Sequence, residues 1–103
     1  MKESRFSTLV SKYLQTNFGA LVIPYTVDAM GTKGIPDLLV CWKGRFVAIE
    51  LKTGNYQPSE IQKEMIRRIN EWYDGMAFVL WDTKDWKQRL DFIDKKIERQ
   101  KKC

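Results

Sequence analysis

The sequence predicts an α/β domain with the element order α-β-β-β-α-β-α, a mixed sheet flanked by helices. Three observations lead there. Two short runs of strand-type residues, Asp37 to Trp42 and Arg45 to Lys52, are separated only by Lys43-Gly44, the loop size that hairpins favour, so the two runs pair antiparallel. A stretch with helical periodicity then separates the second of these runs from one more apolar strand, and such a connection allows a parallel crossover added to the hairpin. Helical patterns also open and close the chain. At 103 residues this is a single domain, 1–103, long enough for one core and without room for a second.

Taken in order, Phe6, Leu9, Val10, Tyr13, Leu14 and Phe18 recur at three- and four-residue steps, which predicts an amphipathic helix from Glu3 to Phe18 with Gly19 as its stop. Ala20 to Val27 supplies Val22, Ile23, Tyr25, Thr26 and Val27, a strand composition, while Pro24 argues for a sheet edge or a bulge. Asp28 to Gly34 is a loop that delivers the chain to Pro36-Asp37. After Lys52, the stretch 53–58 is turn material, and a second helix starts near Ser59. There Ser59-Glu60-Ile61-Gln62 fits a capping box. Ile61, Met65, Ile66, Ile69, Trp72 and Tyr73 form its apolar face and are assigned to the core, with Gly75 ending the helix. Met76 to Trp81 is an uninterrupted apolar run, as expected for a strand buried on both faces beside the Glu50 strand. Trp86, Leu90, Ile93 and Ile97 define a last helix after a cap at Asp82 or Thr83.

Chemistry concentrates in the hairpin. Asp37 begins its first strand and Glu50 lies near the end of its second, so antiparallel pairing brings both carboxylates to one end. Alternation along the strand points Glu50 and Lys52 to the same face and Leu51 to the other. Carboxylate oxygens are the ligands that Mg2+ prefers, and this ion takes only one or two from the protein, leaving positions for water and phosphate oxygens. A metal so held lowers the pKa of a bound water, and a lysine beside it positions the nucleophile or offsets charge in the transition state.

Gly34-Ile35-Pro36-Asp37, about a dozen residues, and then Glu50-Leu51-Lys52, with Ser59 and Gln62 opening a helix, resembles the PD-(D/E)XK nuclease superfamily and, within it, the VRR-NUC (virus-type replication-repair nuclease) branch. The resemblance runs from the first helix to the fourth strand and implies a restriction-endonuclease-like α-β-β-β-α-β core followed by a C-terminal helix. It implies an Mg2+- or Mn2+-dependent endonuclease that hydrolyses DNA phosphodiester bonds. Asp37 and Glu50 would be metal ligands, the Leu51 carbonyl a third, and Lys52 the catalytic lysine. Glu3 matches a glutamate early in the first helix that joins the metal site, although a carboxylate in a first helical turn is also explained by the helix dipole. Gln62 matches a glutamine that faces the active site, and the capping box explains it equally. By resemblance, small stand-alone VRR-NUC proteins belong to viruses and mobile elements, act on branched DNA such as four-way junctions or flaps in replication, recombination or repair, and often work as homodimers.

Composition agrees with this and narrows it. The chain has no histidine, which removes Ser-His-Asp and Cys-His catalysis and His-ligated zinc. Cys41 and Cys103 make neither a disulfide framework nor a zinc spacing. No run approaches a membrane span, and Met1 to Arg5 lacks the apolar stretch of a signal peptide, so the expectation is a soluble intracellular protein of a viral or bacterial host cytoplasm. The net charge of +5 is concentrated in residues 95–103, where Lys95, Lys96, Arg99, Lys101 and Lys102 face only Glu98. Such a basic tail serves solubility or contact with a nucleic acid backbone. Lys33, in the glycine-containing loop before Pro36, reads as a surface-turn residue or a phosphate contact. The alternative function is a non-catalytic nucleic-acid-binding module on the same fold, which has no need of the Asp37, Glu50 and Lys52 trio.

Overall fold

The computed structural model describes residues 1–23, 25 and 33–101. Its elements are α1 (Glu3–Phe18), β1 (Leu21–Ile23), β2 (Leu38–Trp42), β3 (Arg45–Lys52), α2 (Glu60–Glu71), β4 (Met76–Trp81) and α3 (Trp86–Lys101). The order is the expected one. The four strands form one sheet in the order β1-β2-β3-β4, antiparallel except where β3 and β4 run parallel across the α2 crossover.

The hairpin between β2 and β3 closes as its sequence demands. Lys43 and Gly44 take φ values of 51° and 82°, the left-handed pair that a type I′ turn requires and that matches the twist of the strands. Lys43 tolerates that conformation while its ammonium lies 2.9 Å from Asp94 and 2.5 Å from Glu98 on α3. The neighbouring Trp42 indole donates to Asp94 at 2.9 Å. The turn far from the carboxylates is thus tied to the last helix, which fixes the hairpin's tilt.

One face of the sheet carries the core. Leu38, Val40 and Trp42 of β2 and Val47, Ile49 and Leu51 of β3 meet Phe6, Val10 and Leu14 of α1 and Trp86, Leu90 and Ile97 of α3. The α1 stripe steps by four residues, so one side of that helix supplies all three of its buried residues. Aromatic contacts fill the seam: Phe18 stacks on Trp42 with ring centroids 5.1 Å apart, and Phe6 meets Trp86 edge-on at 5.5 Å.

The opposite face is covered less completely, and this corrects two expectations. No α2 side chain is fully buried. Ile61 and Trp72 are 54% and 56% exposed, so the α2 stripe is a half-shielded layer, not core. β4 is an edge strand with only Ala77 and Leu80 buried, not a strand covered on both sides. A run of apolar residues is the same text in either place, and position in the sheet decides. The edge of β4 is closed by a side chain: Asn70 of α2 accepts from the Ala77 N–H and donates to the Ala77 C=O, both at 2.9 Å, standing in for a missing neighbour strand.

Further differences are local. β1 spans three residues where Ala20 to Val27 was expected, and it is the other edge of the sheet; Pro24 and residues 26–32 lie outside the described residues. α3 begins at Trp86, past an Asp82 or Thr83 cap, because the Thr83 hydroxyl donates to Asp85 and the Trp86 N–H bonds the Thr83 carbonyl, forming a turn first. Lys95, Lys96, Arg99 and Lys101 stand on α3 rather than in a frayed tail. Residues 102 and 103 lie outside the described set.

Candidate active site

The Gly34-Ile35-Pro36-Asp37 segment is pressed against the start of α2. Gly34 has φ 84°, and a Cβ there would stand 2.5 Å from Ile61 Cγ2 and 2.9 Å from the Ile61 carbonyl oxygen. Glycine is required for both reasons. Pro36 is buried, and its carbonyl accepts a hydrogen bond from the Tyr25 hydroxyl. These contacts deliver Asp37 to a fixed place just before β2.

Leu38 pairs with Ile49, so the residue before it stands across from Glu50. Asp37 Oδ2 accepts the Leu51 N–H at 2.8 Å. That N–H points past the end of β2, and the carboxylate continues the ladder where the strand has stopped. Leu51 itself turns its side chain into the core, while Glu50 and Lys52 project from the other face, as alternation predicts.

Glu50 is the one buried charged residue among those described, 1% exposed. One of its oxygens, Oε2, lies 3.4 Å from the Lys52 ammonium. The other, Oε1, is buried and no donor reaches it; the Glu50 carboxyl shares a hydrogen bond with Asp37 only when one of the two acids is protonated. Burial raises the Glu50 carboxyl to about 7, the negative charge of Asp37 adds to the rise, and Lys52 offsets it only in part. Two acids side by side in a dry setting thus outweigh one lysine.

Glu3 opens α1 at the rim of this group. Partial burial and then the charge of Asp37 raise its carboxyl, with Lys52 acting against them, so the helix start reaches the carboxylates. Tyr25 is a site residue that strand propensity alone did not single out. It is half-buried, and its phenol is raised by burial and by the charges of Asp37 and Glu50. Only tertiary folding brings it there, through its bond to the Pro36 carbonyl. A tyrosine inside a strand-like run carries no signal of such a role.

Two expected site residues are placed elsewhere or committed elsewhere. Gln62 completes the capping box: its side-chain oxygen accepts from the Ser59 N–H at 2.8 Å and its own N–H bonds Ser59 Oγ at 3.2 Å. Its hydrogen bonds therefore serve the helix start. Lys33 is exposed and lines a shallow depression with Glu60, Ile61, Glu64, Met65 and Arg68 of α2, on the flank of the loop and not among the carboxylates.

The donor set can be tested for a cation. Among the described residues no group of three acidic, cysteine or histidine side chains has the arrangement of a metal cage, while Glu3 stands close enough to Asp37 for the two carboxyls to share a hydrogen bond. What is present is two carboxylates, one of them with a buried oxygen lacking any partner. Hard oxygen donors, few in number and with room for water, fit an Mg2+-type ion. A buried unpaired carboxylate oxygen is otherwise costly to leave unsatisfied, by about 1–3 kcal/mol or more.

Neither the family models nor the curated proteins compared with the chain match it. Among solved structures, a chain described as a VRR_NUC domain superposes with a TM-score of 0.71, covering 86% of this chain and 94% of that one at 23% sequence identity. The protein has the fold of a VRR_NUC domain. No helix among the described residues is long and apolar enough to cross a membrane.

Proposed function

We propose that this protein is a nuclease that hydrolyses DNA phosphodiester bonds with the help of Mg2+ or Mn2+, its substrate being branched DNA such as a four-way junction or a flap. The observation that carries the reading is the partnerless buried oxygen of Glu50, next to Asp37 and with Lys52 on the other oxygen. The VRR_NUC fold supports it.

Asp37 and Glu50 would hold the ion through carboxylate oxygens. The Leu51 carbonyl would join them, because in an extended strand it faces the same neighbour as the N–H that Asp37 engages. When bound, the ion supplies Lewis-acid polarisation of a phosphate oxygen and an acidified water. The chain's own groups do the rest. Lys52 Nζ, tethered by Glu50 Oε2, donates to the attacking water and offsets the charge that builds on the phosphoryl oxygens as the P–O bond to the leaving strand breaks. Asp37, anchored by the Leu51 N–H, keeps its other oxygen for the ion. Tyr25 holds the Pro36 carbonyl and so keeps Asp37 in register. Glu3 adds negative charge at the rim, and Gln62 secures the start of α2 that backs the Gly34 loop. Lys33 is a contact for the DNA backbone, and the basic residues of α3 attract DNA through their charge. A second copy of the chain would pair two such sites on a two-fold substrate.

The test is cleavage of labelled four-way junction, flap, single-stranded and duplex DNA by wild type and Lys52→Ala, with Mg2+, Mn2+ or EDTA. Metal-dependent cutting that the variant loses supports the nuclease. DNA binding without cutting, equal in both proteins and indifferent to metal, leaves a non-catalytic binding module instead. Light scattering that finds only monomer at micromolar concentration removes the homodimer.

A further inference from the structure

Lys52 and Trp81 are register partners at the ends of the parallel strands β3 and β4. One residue earlier, Leu51 and Leu80 both point into the core. By alternation Trp81 therefore stands beside Lys52 on the face of Glu50, one strand spacing of about 4.8 Å away. The Trp81 indole N–H donates to the Tyr56 carbonyl at 2.9 Å. Two more bonds tie down the loop that carries Tyr56: its own N–H to the Thr53 carbonyl at 3.3 Å, and the Gly54 N–H to Asp82 at 3.0 Å. The result is a fixed loop, directly after Lys52, that holds Tyr56 73% exposed beside a half-buried indole. The core does not use that ring, and neither does the carboxylate group.

We propose that Tyr56, on a loop that the Trp81 indole pins through the Tyr56 carbonyl, is a stacking platform for an unpaired base next to the phosphate that Lys52 addresses. The inference rests on the nuclease reading and adds to it a base-binding residue that narrows branched DNA to forms with an open strand at the cut. Bases inside a duplex are already stacked on their neighbours and offer no free face, whereas an unpaired base gains a partner on an aromatic side chain whatever its identity. The platform selects for strand opening and is indifferent to sequence. Tyr56 follows Lys52 by four residues on the loop that Trp81 pins, so an open strand held there brings its own phosphate toward Lys52.

The experiment uses the full chain in a Lys52→Ala background, so that binding is read without cutting. The probes are oligonucleotides with 2-aminopurine at the first unpaired position of a flap and, separately, within a closed duplex. Expected is strong fluorescence change on the flap with Lys52→Ala and with Lys52→Ala/Tyr56→Phe, and its loss in Lys52→Ala/Tyr56→Ala, with flap affinity down about ten-fold and duplex affinity unchanged. Rescue by phenylalanine separates stacking from a structural role, and the exposure of Tyr56 leaves thermal stability the same in all three. An equal signal in the alanine variant, no signal in any, or equal weakening on flap and duplex overturns the proposal. If the protein carrying Lys52 cuts DNA while any of these holds, only the platform fails. If it binds the flap through Tyr56 but never cuts with either metal, the nuclease reading fails.

Discussion

Glu50 and Lys52 are joined through one oxygen only: Oε2 lies 3.4 Å from the ammonium while Oε1 is buried and empty-handed. An ion pair that satisfied both oxygens would be a structural bridge with no place for a ligand. This one leaves a buried carboxylate oxygen without a donor, and its energetic consequence is measurable without any substrate.

The Glu50 carboxyl is raised from its ordinary value near 4.5 to about 7 in the metal-free fold. A raised carboxyl binds its proton more tightly in the native state than in the unfolded one, so its contribution to stability is complete below about 4.5 and is lost as pH rises through 7. Integrated over that window the loss is about 3 kcal/mol. Urea titrations in EDTA from pH 4.5 to 8 are expected to show this decline in wild type and a much flatter profile in Glu50→Gln. Mg2+ stabilises the ionised form, so added Mg2+ raises the melting temperature more at pH 8 than at pH 5.5, and not in the variant. A flat wild-type profile would show that Glu50 is ionised throughout and that its open oxygen is solvated.

Asp37 has two separable duties, and two substitutions separate them. Asp37→Ala leaves the Leu51 N–H without its acceptor and should destabilise by about 1–3 kcal/mol. Asp37→Asn retains an acceptor oxygen at the same place and should be close to wild type in stability. Both lose the charge that would hold an ion, so both are expected to lose metal-dependent cleavage by at least about 100-fold. Denaturant midpoints alongside cleavage rates decide it. If Asn retained cleavage, Asp37 would be a strand-end cap and no more.

The hairpin was legible because its signals are local: alternation over Arg45 to Lys52, a two-residue turn with Gly44, and an acid at each end. The same holds for Glu3–Phe18, whose step and stop lie within one element. The errors concern what covers what. The α2 stripe of Ile61, Met65, Ile69 and Trp72 has the periodicity of a core helix, but periodicity says which side is apolar and not how much protein lies beyond it. β4 was misjudged for the same reason, since an edge strand and a central one share a composition. Tyr25 could not be read at all. Its place beside Asp37 and Glu50 comes from a contact with Pro36, eleven residues further on, and no spacing encodes that.

Gly34 was legible as part of a motif, and the fold supplies the reason it is glycine. With φ 84° and Ile61 Cγ2 and carbonyl oxygen at 2.5 and 2.9 Å from a Cβ, Gly34→Ala meets both backbone strain and a clash. The expected destabilisation is about 2–4 kcal/mol, accompanied by weaker metal binding because Asp37 follows three residues later. Adding Ile61→Ala removes the side-chain clash and leaves the carbonyl and the strain. The double variant should therefore recover part of the loss and not all of it. Full recovery would mean that the backbone there tolerates a left-handed alanine.

Asn70 offers a test of the edge that the sheet leaves at β4. Its amide makes both hydrogen bonds that a neighbouring strand would make to Ala77, each at 2.9 Å. Asn70→Ala frees a buried N–H and C=O on a strand whose apolar run, Met76 to Trp81, is a template for another chain. A loss of about 1–3 kcal/mol is expected, together with a rise in self-association seen by light scattering on warming. Asn70→Asp keeps the acceptor for the Ala77 N–H and removes the donor to the Ala77 C=O, so it should fall between wild type and alanine in stability and, through its added charge, suppress the association. If alanine is as stable and as monomeric as wild type, water satisfies Ala77 and the edge is guarded by the flanking helices alone.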